Sequence, residues 1–357
     1  MKNLAEARPA RTLRRMICRC QPGFETFLEK ELRAAGLVAV EQGSGWVRTA
    51  PAASPAAWQN LCFAQVVMPD AVEITGDSVN ALSARIMETF LASAKDERFE
   101  TEWPCLFEAA AGLDGLGRRQ AGVSKVFFEN LKKRLGRVAR LAIDDKPRGV
   151  CAVRGLFVFF VDFKRAYVSR EIWSNGQRRM ADDARAPSRS YLKVEEAYLV
   201  LGREPTEGET VVDLGAAPGG WSFSAAKRGA RVIAVDNGPL KLGALDNPLI
   251  EHRLEDAFRF EPPGGQPVDW MFCDLVEEPH HVMENLIQPW IERGWCRRFV
   301  VILKFGRVDA LALLRQVKAS DSVFSRHAPG FRVRHLYHDR EEFTIVGELA
   351  PSPTSAA

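Results

Sequence analysis

From residue 189 onward the sequence alternates short β-branched runs with amphipathic stretches of helical period. The pattern predicts a helix over 189–202, the strand TVVDLGA, the helix WSFSAAKRG and the strand RVIAVD. The strands PLIEHRL and VDWMFCDL, the helix VMENLIQPWIERG, the strand RRFVVILKF and the helix VDALALLRQVKAS follow, before two terminal strands, FRVRHLYHD and EEFTIVGEL. Strands alternating with helices call for a mostly parallel sheet covered on both faces, an α/β, Rossmann-like unit. That unit accounts for under half of the 357 residues, so further domains must precede it.

The first half has a different texture. ICRCQPGFETFLEKELRAAGL reads as a strand, a Pro-Gly turn and a helix from about Phe24, and GSGWVRTA as a strand. LCFAQVVMPDAVEIT is β-rich, and SVNALSARIMETFLASA is helical, so residues 13–95 form an α+β unit. Residues 124–141 predict one amphipathic helix, with Val126, Phe127, Leu131, Leu135 and Val138 inward and Lys132, Lys133, Arg134 and Arg137 outward. VCAVRGLFVFFVDF and AYVSREIW then read as buried strands, closing a second small α/β unit at 96–173. Asn-Gly, Pro and charges mark 174–188 as an interdomain linker, and the termini, 1–12 and 351–357, as flexible extensions.

Charge narrows the class of partner. Residues 117–193 hold 19 Lys or Arg against 7 Asp or Glu, while the whole chain carries only +3. A basic block in an otherwise acidic chain favours a polyanion such as RNA. No apolar run is long enough to span a bilayer, and the basic start lacks a signal-peptide core, so a cytoplasmic protein is expected. Seven scattered cysteines without a C-x-x-C pair indicate reduced thiols rather than disulfides or zinc. His335 and His338 lack the further ligands of a metal site, so no metal is expected.

The chemistry gathers around VVDLGAAPGGW, residues 211–221. In an open α/β sheet, ligands bind beyond the carboxyl ends of the strands, and this turn follows the first of them. Gly215, Gly219 and Gly220 let backbone approach a ligand, and Pro218 stiffens the loop. The spacing is not the G-x-G-x-x-G of a dinucleotide site, yet Asp236, at the end of the second strand, suits a ribose diol. An adenosine-containing ligand other than NAD is implied.

DLGAAPGGW resembles the first motif of S-adenosylmethionine-dependent methyltransferases, in particular the RNA ribose 2′-O-methyltransferases. The resemblance implies that Ala217, Pro218, Gly219 and Gly220 line the cofactor, Asp236 takes its ribose and Asp256 lies by the adenine. It also implies a Lys-Asp-Lys-Glu tetrad, matched in order by Lys193 before strand one, Asp274 ending VDWMFCD, Lys304 ending VVILK and Glu342 opening EEFTIVG. Asp274 would border the cofactor as well. Glu341 rivals Glu342, because successive strand residues face opposite sides. A ribose hydroxyl is a very weak acid, so Lys304 is expected to act as general base in its neutral form, helped by the second cation Lys193, with Asp274 and Glu342 orienting the amines.

CQPGFE, APSRSYLKVEEA, DLGAAPGGW, VDNGP, RGWC and LYHDREE together resemble the bacterial ribosomal RNA large subunit methyltransferase M family across nearly the whole chain. That likeness implies a ferredoxin-like segment, a THUMP RNA-binding domain and a methyltransferase domain at 189–350. It further implies Ser188 in the cofactor site and a cytidine ribose of 23S rRNA as acceptor; nothing in the sequence requires a dimer, so a monomer is expected. An exocyclic-amine methyltransferase would show an Asn/Asp-Pro-Pro-aromatic strand end where this chain has CDLV, and a cytosine C5 enzyme would need a nucleophilic cysteine in a Pro-Cys context that Cys273 lacks. A noncatalytic RNA-binding protein on the same fold stays open.

Overall fold

A computed structural model describes residues 15–51 and 58–351, so the predicted extension at 1–12, and that at 351–357 apart from Pro351, lie outside the described residues. The chain divides into two compact units. The first comprises 1–59, 66–146 and 152–173, and the second 60–65, 147–151 and 174–357.

The first unit is α+β. Its strands are β1 (Ile17–Arg19), β2 (Ala39–Gly43), β3 (Trp46–Thr49), β4 (Val66–Met68), β5 (Val72–Thr75), β6 (Trp103–Ala109), β7 (Ala142–Ile143), β8 (Val150–Phe160) and β9 (Arg165–Asn175). They form one sheet in the order β2-β3-β1-β4-β9-β8-β6-β7, with β5 also pairing to β9. Helices α1 (Glu25–Ala34), α2 (Val79–Ser93), α3 (Leu116–Arg134) and α4 (Gly136–Leu141) accompany it. Phe90, Trp103, Phe107 and Phe127 build a largely aromatic core, with Phe90 stacked on Trp103 at 5.3 Å.

The single helix predicted over 124–141 is corrected to two. Leu135 leaves the helical region at φ −140° and ψ 65° and is exposed, not inward, and Gly136 starts α4. The period misled because α3 begins earlier, at Leu116, and takes its buried side from Leu116, Val123, Phe127 and Leu131.

The second unit is the Rossmann-like layer. It holds α5 (Tyr191–Leu201), β10 (Thr210–Leu214), α6 (Gly220–Ala226), β11 (Arg231–Val235), β12 (Ile250–Arg253), β13 (Val268–Cys273), α7 (Pro279–Val282), α8 (Gln288–Glu292), β14 (Cys296–Lys304), α9 (Ala310–Lys318), α10 (Val323–His327), β15 (Arg332–Arg334) and β16 (Glu342–Glu348). The sheet order is β12-β11-β10-β13-β14-β16-β15, parallel except for β16, which runs against both its neighbours. Val211, Val212, Asp213 and Leu214 of β10 are all buried, as a strand covered on both faces requires. Tyr198, Trp221, Trp270, Phe272 and Ile302 pack in the core beside it.

Two further predictions change in this unit. The strand FRVRHLYHD shrinks to Arg332–Arg334, because the His335 N–H bonds to the Cys62 carbonyl at 2.9 Å instead of continuing the ladder. The 174–188 stretch packs as part of the unit, with Asn175 fully buried and its Nδ2 donating to the Ala64 carbonyl at 2.7 Å. Trp290 lies in the core against Trp295 at 5.7 Å, on a helical run interrupted by a π turn at Met283–Ile287.

Candidate active site

Strand order reverses between β10 and β13, and their carboxyl ends open the crevice where such sheets bind ligands. Gly215 follows β10 at φ +82°, where a Cβ would meet Leu275 at 2.6 Å. Gly219 has φ +101°, and a Cβ there would stand 2.5 Å from that of Ala244. Gly219→Ala is therefore expected to displace the loop, lowering S-adenosylmethionine affinity about tenfold or more at a stability cost of about 1–3 kcal/mol, measured by calorimetry and thermal unfolding.

The residues around this loop suit a nucleoside with an amino-acid tail. The Ser188 hydroxyl is buried with no hydrogen-bond partner among the described residues, and a Cβ on Gly220 would come within 2.8 Å of it. Asp236 accepts the Ala217 N–H on Oδ2 at 2.9 Å and the Gly238 N–H on Oδ1 at 2.7 Å. Each carboxylate oxygen keeps a lone pair, so a ribose diol can still bind. Asp256 is exposed, and its Oδ1 accepts the Phe258 N–H at 3.0 Å. Ala217 and Pro218 fall in the same turn, between Gly215 and Gly219.

The four separated residues Lys193, Asp274, Lys304 and Glu342 meet. Lys304 ends β14 and is the antiparallel partner of Glu342, which opens β16. Lys304 Nζ donates to Asp274 Oδ1 at 2.8 Å and to the Leu275 carbonyl at 3.1 Å. Lys193 Nζ, on the first turn of α5, lies 2.6 Å from Glu342 Oε1 and 3.7 Å from Asp274 Oδ2. Glu342 is buried, whereas Glu341 is exposed and its Oε2 stands near Gly306.

The electrostatics follow from this geometry. Burial opposes ionisation of Asp274, but Lys193 and Lys304 outweigh it and hold the carboxyl below its usual range. Burial likewise disfavours the Lys193 ammonium, yet Asp274 and Glu342 raise its pKa, so Lys193 stays a cation. Asp213, fully buried behind the loop, is pushed up to about 7 by burial, against a 2.6 Å bond from Ser222 Oγ that lowers it. Cys273 is also fully buried, with its thiol pushed up to about 12 by burial, which removes it as a nucleophile.

Three buried or partly buried neighbours of this cluster were not singled out by the sequence. Ser190 Oγ bonds to Asp274 Oδ2 at 3.0 Å. Glu196, three residues after Lys193, is fully buried and accepts N–H groups from Arg178 at 2.9 Å, Tyr337 at 2.8 Å and His338 at 3.2 Å. Asp339, also buried, accepts the Leu336 N–H at 2.8 Å and the Thr344 hydroxyl at 3.1 Å, and burial raises its pKa well above the usual value. A buried acid in a loop rich in charge, HDREE, was the available signal for Asp339. The histidines are structural: His335 Nε2 pairs with the Arg340 carbonyl, and His338 Nε2 accepts the Met180 N–H.

Residues 186–304 match the model of the FtsJ-like methyltransferases. The chain is 33% identical to the ribosomal RNA large subunit methyltransferase M of Laribacter hongkongensis, over 91% of this chain and 94% of that one. It is 32% identical to the protein of the same name from Xanthomonas oryzae pv. oryzae, over 93% and 98%. The Stenotrophomonas maltophilia protein gives 32% over 93% and 96%. With 32–33% identity over more than nine tenths of its length in each case, the chain belongs to the ribosomal RNA large subunit methyltransferase M family.

Proposed function

We infer that this protein methylates the ribose 2′-hydroxyl of a cytidine in 23S rRNA, using S-adenosylmethionine. The observation that carries the reading is the closed Lys304–Asp274–Lys193–Glu342 network at the carboxyl ends of the strands. When bound, S-adenosylmethionine supplies an electrophilic methyl group; Ser188, Ala217, Pro218, Gly219, Gly220, Asp236, Asp256 and Asp274 are the residues proposed to hold it.

Lys304 has a geometry suited to a base. A neutral amine has two N–H bonds and one lone pair, and Lys304 Nζ has two acceptors, Asp274 Oδ1 and the Leu275 carbonyl. With both donors engaged, the lone pair is left to take the proton of the ribose hydroxyl. Lys193 stays charged on Glu342 and orients the hydroxyl. All four groups lie on one chain, so a monomer suffices, and no helix among the described residues is long and apolar enough to cross a membrane. A cytoplasmic enzyme, with ready access to rRNA, is the corresponding proposal.

We propose that the first unit combines a ferredoxin-like part (13–95) with a THUMP-like part (96–173) and holds the RNA. Of the basic block, Lys146, Arg154, Lys164, Arg165 and Arg170 are paired with acids. Lys132, Lys133, Arg134, Arg137 and Arg140 on α3 and α4 are exposed and pair with no described acid, leaving their charge available to phosphates. Replacing Arg134 and Arg137 together by alanine is expected to weaken RNA binding and reduce the slope of log affinity against log salt by about 1.5–2. An unchanged slope in a binding titration would remove this face from the RNA contact.

Incubation with unmodified 23S and 16S rRNA, naked and in precursor particles, tests the function. Methylated nucleoside recovered as 2′-O-methylcytidine from 23S rRNA alone is expected. A base-methylated product, or none from any RNA although the cofactor binds, would refute the reading.

A further inference from the structure

Ser190 occupies the cap position at the start of α5, where a serine hydroxyl ordinarily accepts a backbone N–H from the first turn. Here it makes no such bond, and its backbone is already helical at φ −57° and ψ −28°. Instead Oγ reaches Asp274 Oδ2 at 3.0 Å and accepts the indole Nε1–H of Trp221 at 3.2 Å. Because the indole occupies the acceptor side, the hydroxyl proton is directed at the carboxylate. Trp221 belongs to the glycine-loop motif, so one hydroxyl joins that motif to the tetrad.

Asp274 thereby has distinct partners on its two oxygens. Oδ1 takes Lys304, and Oδ2 takes Ser190, with Lys193 held back at 3.7 Å while it bonds to Glu342 at 2.6 Å. Resting on the reading of this cluster as the methyl-transfer site, we propose that Ser190 is a positioning residue that occupies Asp274 Oδ2 and keeps Lys193 on Glu342. Without the hydroxyl, Oδ2 loses a donor and Lys193 is its nearest replacement. Closer contact with the carboxylate favours the charged form of Lys193 and draws its ammonium away from Glu342.

Ser190→Ala is a clean probe, since Trp221 Nε1 also bonds to the Ser190 carbonyl at 3.0 Å and that bond survives the substitution. Expected for Ser190→Ala are a fall in kcat of about tenfold and a KM for S-adenosylmethionine within about twofold. Ser190→Thr, which keeps the hydroxyl, should restore most of the rate. In the ligand-free protein, the 13Cε NMR titration of Lys193 should move to higher pH in Ser190→Ala. A wild-type rate with an unmoved Lys193 titration would overturn the proposal, as would a loss that tracks a lowered unfolding temperature and is not restored by threonine. Should the wild type transfer no methyl group, the reading of the site fails; the ligand-free lysine titration then decides the Ser190 claim separately, an unmoved Lys193 overturning it.

Discussion

Replacing Lys304 by alanine is expected to cut methyl transfer roughly 10²- to 10⁴-fold, the usual contribution of a positioned general base, while S-adenosylmethionine affinity stays within about threefold. The separation of the two effects follows from the contacts. Lys304 Nζ bonds to Asp274 and Leu275 and makes no hydrogen bond to the glycine loop or to Asp236. Lys304→Arg distinguishes a proton acceptor from a fixed positive charge, because a guanidinium keeps the charge and cannot be deprotonated in proteins. Arginine should be as inactive as alanine. Single-turnover transfer beside calorimetric binding of the cofactor measures both quantities, and an active Lys304→Arg would assign the residue to electrostatic stabilisation instead.

Glu196→Ala should destabilise the protein more than any other change in the tetrad's surroundings, by roughly 3–6 kcal/mol. It removes the acceptor of three N–H groups, from Arg178, Tyr337 and His338. These donors are only partly buried, so each one left unsatisfied costs about 1–2 kcal/mol, the lower part of the usual range. The loss also releases the 336–340 loop, which leads into Glu342, from the helix that carries Lys193, so activity should fall with stability. Glu196→Gln keeps an oxygen acceptor and should cost less.

The same residue gives a signed pH dependence. Burial pushes the Glu196 carboxyl up to about 8, while its three backbone bonds pull it down. An acid whose folded pKa lies above its unfolded value binds its proton more tightly in the folded state. Its contribution therefore favours folding fully below the ordinary value of 4.5 and is lost as pH rises through about 8. Asp213 acts in the same direction through about 7. Chemical denaturation across this range should show a stability decline that is shallower in Glu196→Gln. A decline equally steep in that variant would assign the proton to another group.

The sheet was legible because strand ends can be counted, whereas the four proposed tetrad positions came from the resemblance to the 2′-O-methyltransferases, and the fold brings those four side chains together. Lys304 follows an unbroken apolar run, and a charge there is costly unless it faces a polar site. What the sequence hid were groups whose role depends on distant partners. Ser190 looks like an ordinary helix cap, and Glu196 in KVEEA looks like an exposed helix acid, yet the N–H groups that hold Glu196 come from Arg178, Tyr337 and His338, on segments before and well after its own helix. Local periodicity carries no record of such contacts. It failed in the same way at Leu135, where a helical pattern continues through a backbone break, and at His335, whose N–H leaves the ladder for Cys62. The basic block was visible as a count, but only the structure separates the arginines already paired with acids from those on α3 and α4 that pair with none of the described ones.

The most direct test of the account is alkaline hydrolysis of 23S rRNA methylated in vitro from labelled S-adenosylmethionine. A ribose 2′-O-methyl group blocks cleavage of the adjacent phosphodiester, so the account predicts that the label stays in a single alkali-resistant dinucleotide beginning with cytidine. Label released on mononucleotides would place the methyl group on a base and contradict the tetrad chemistry.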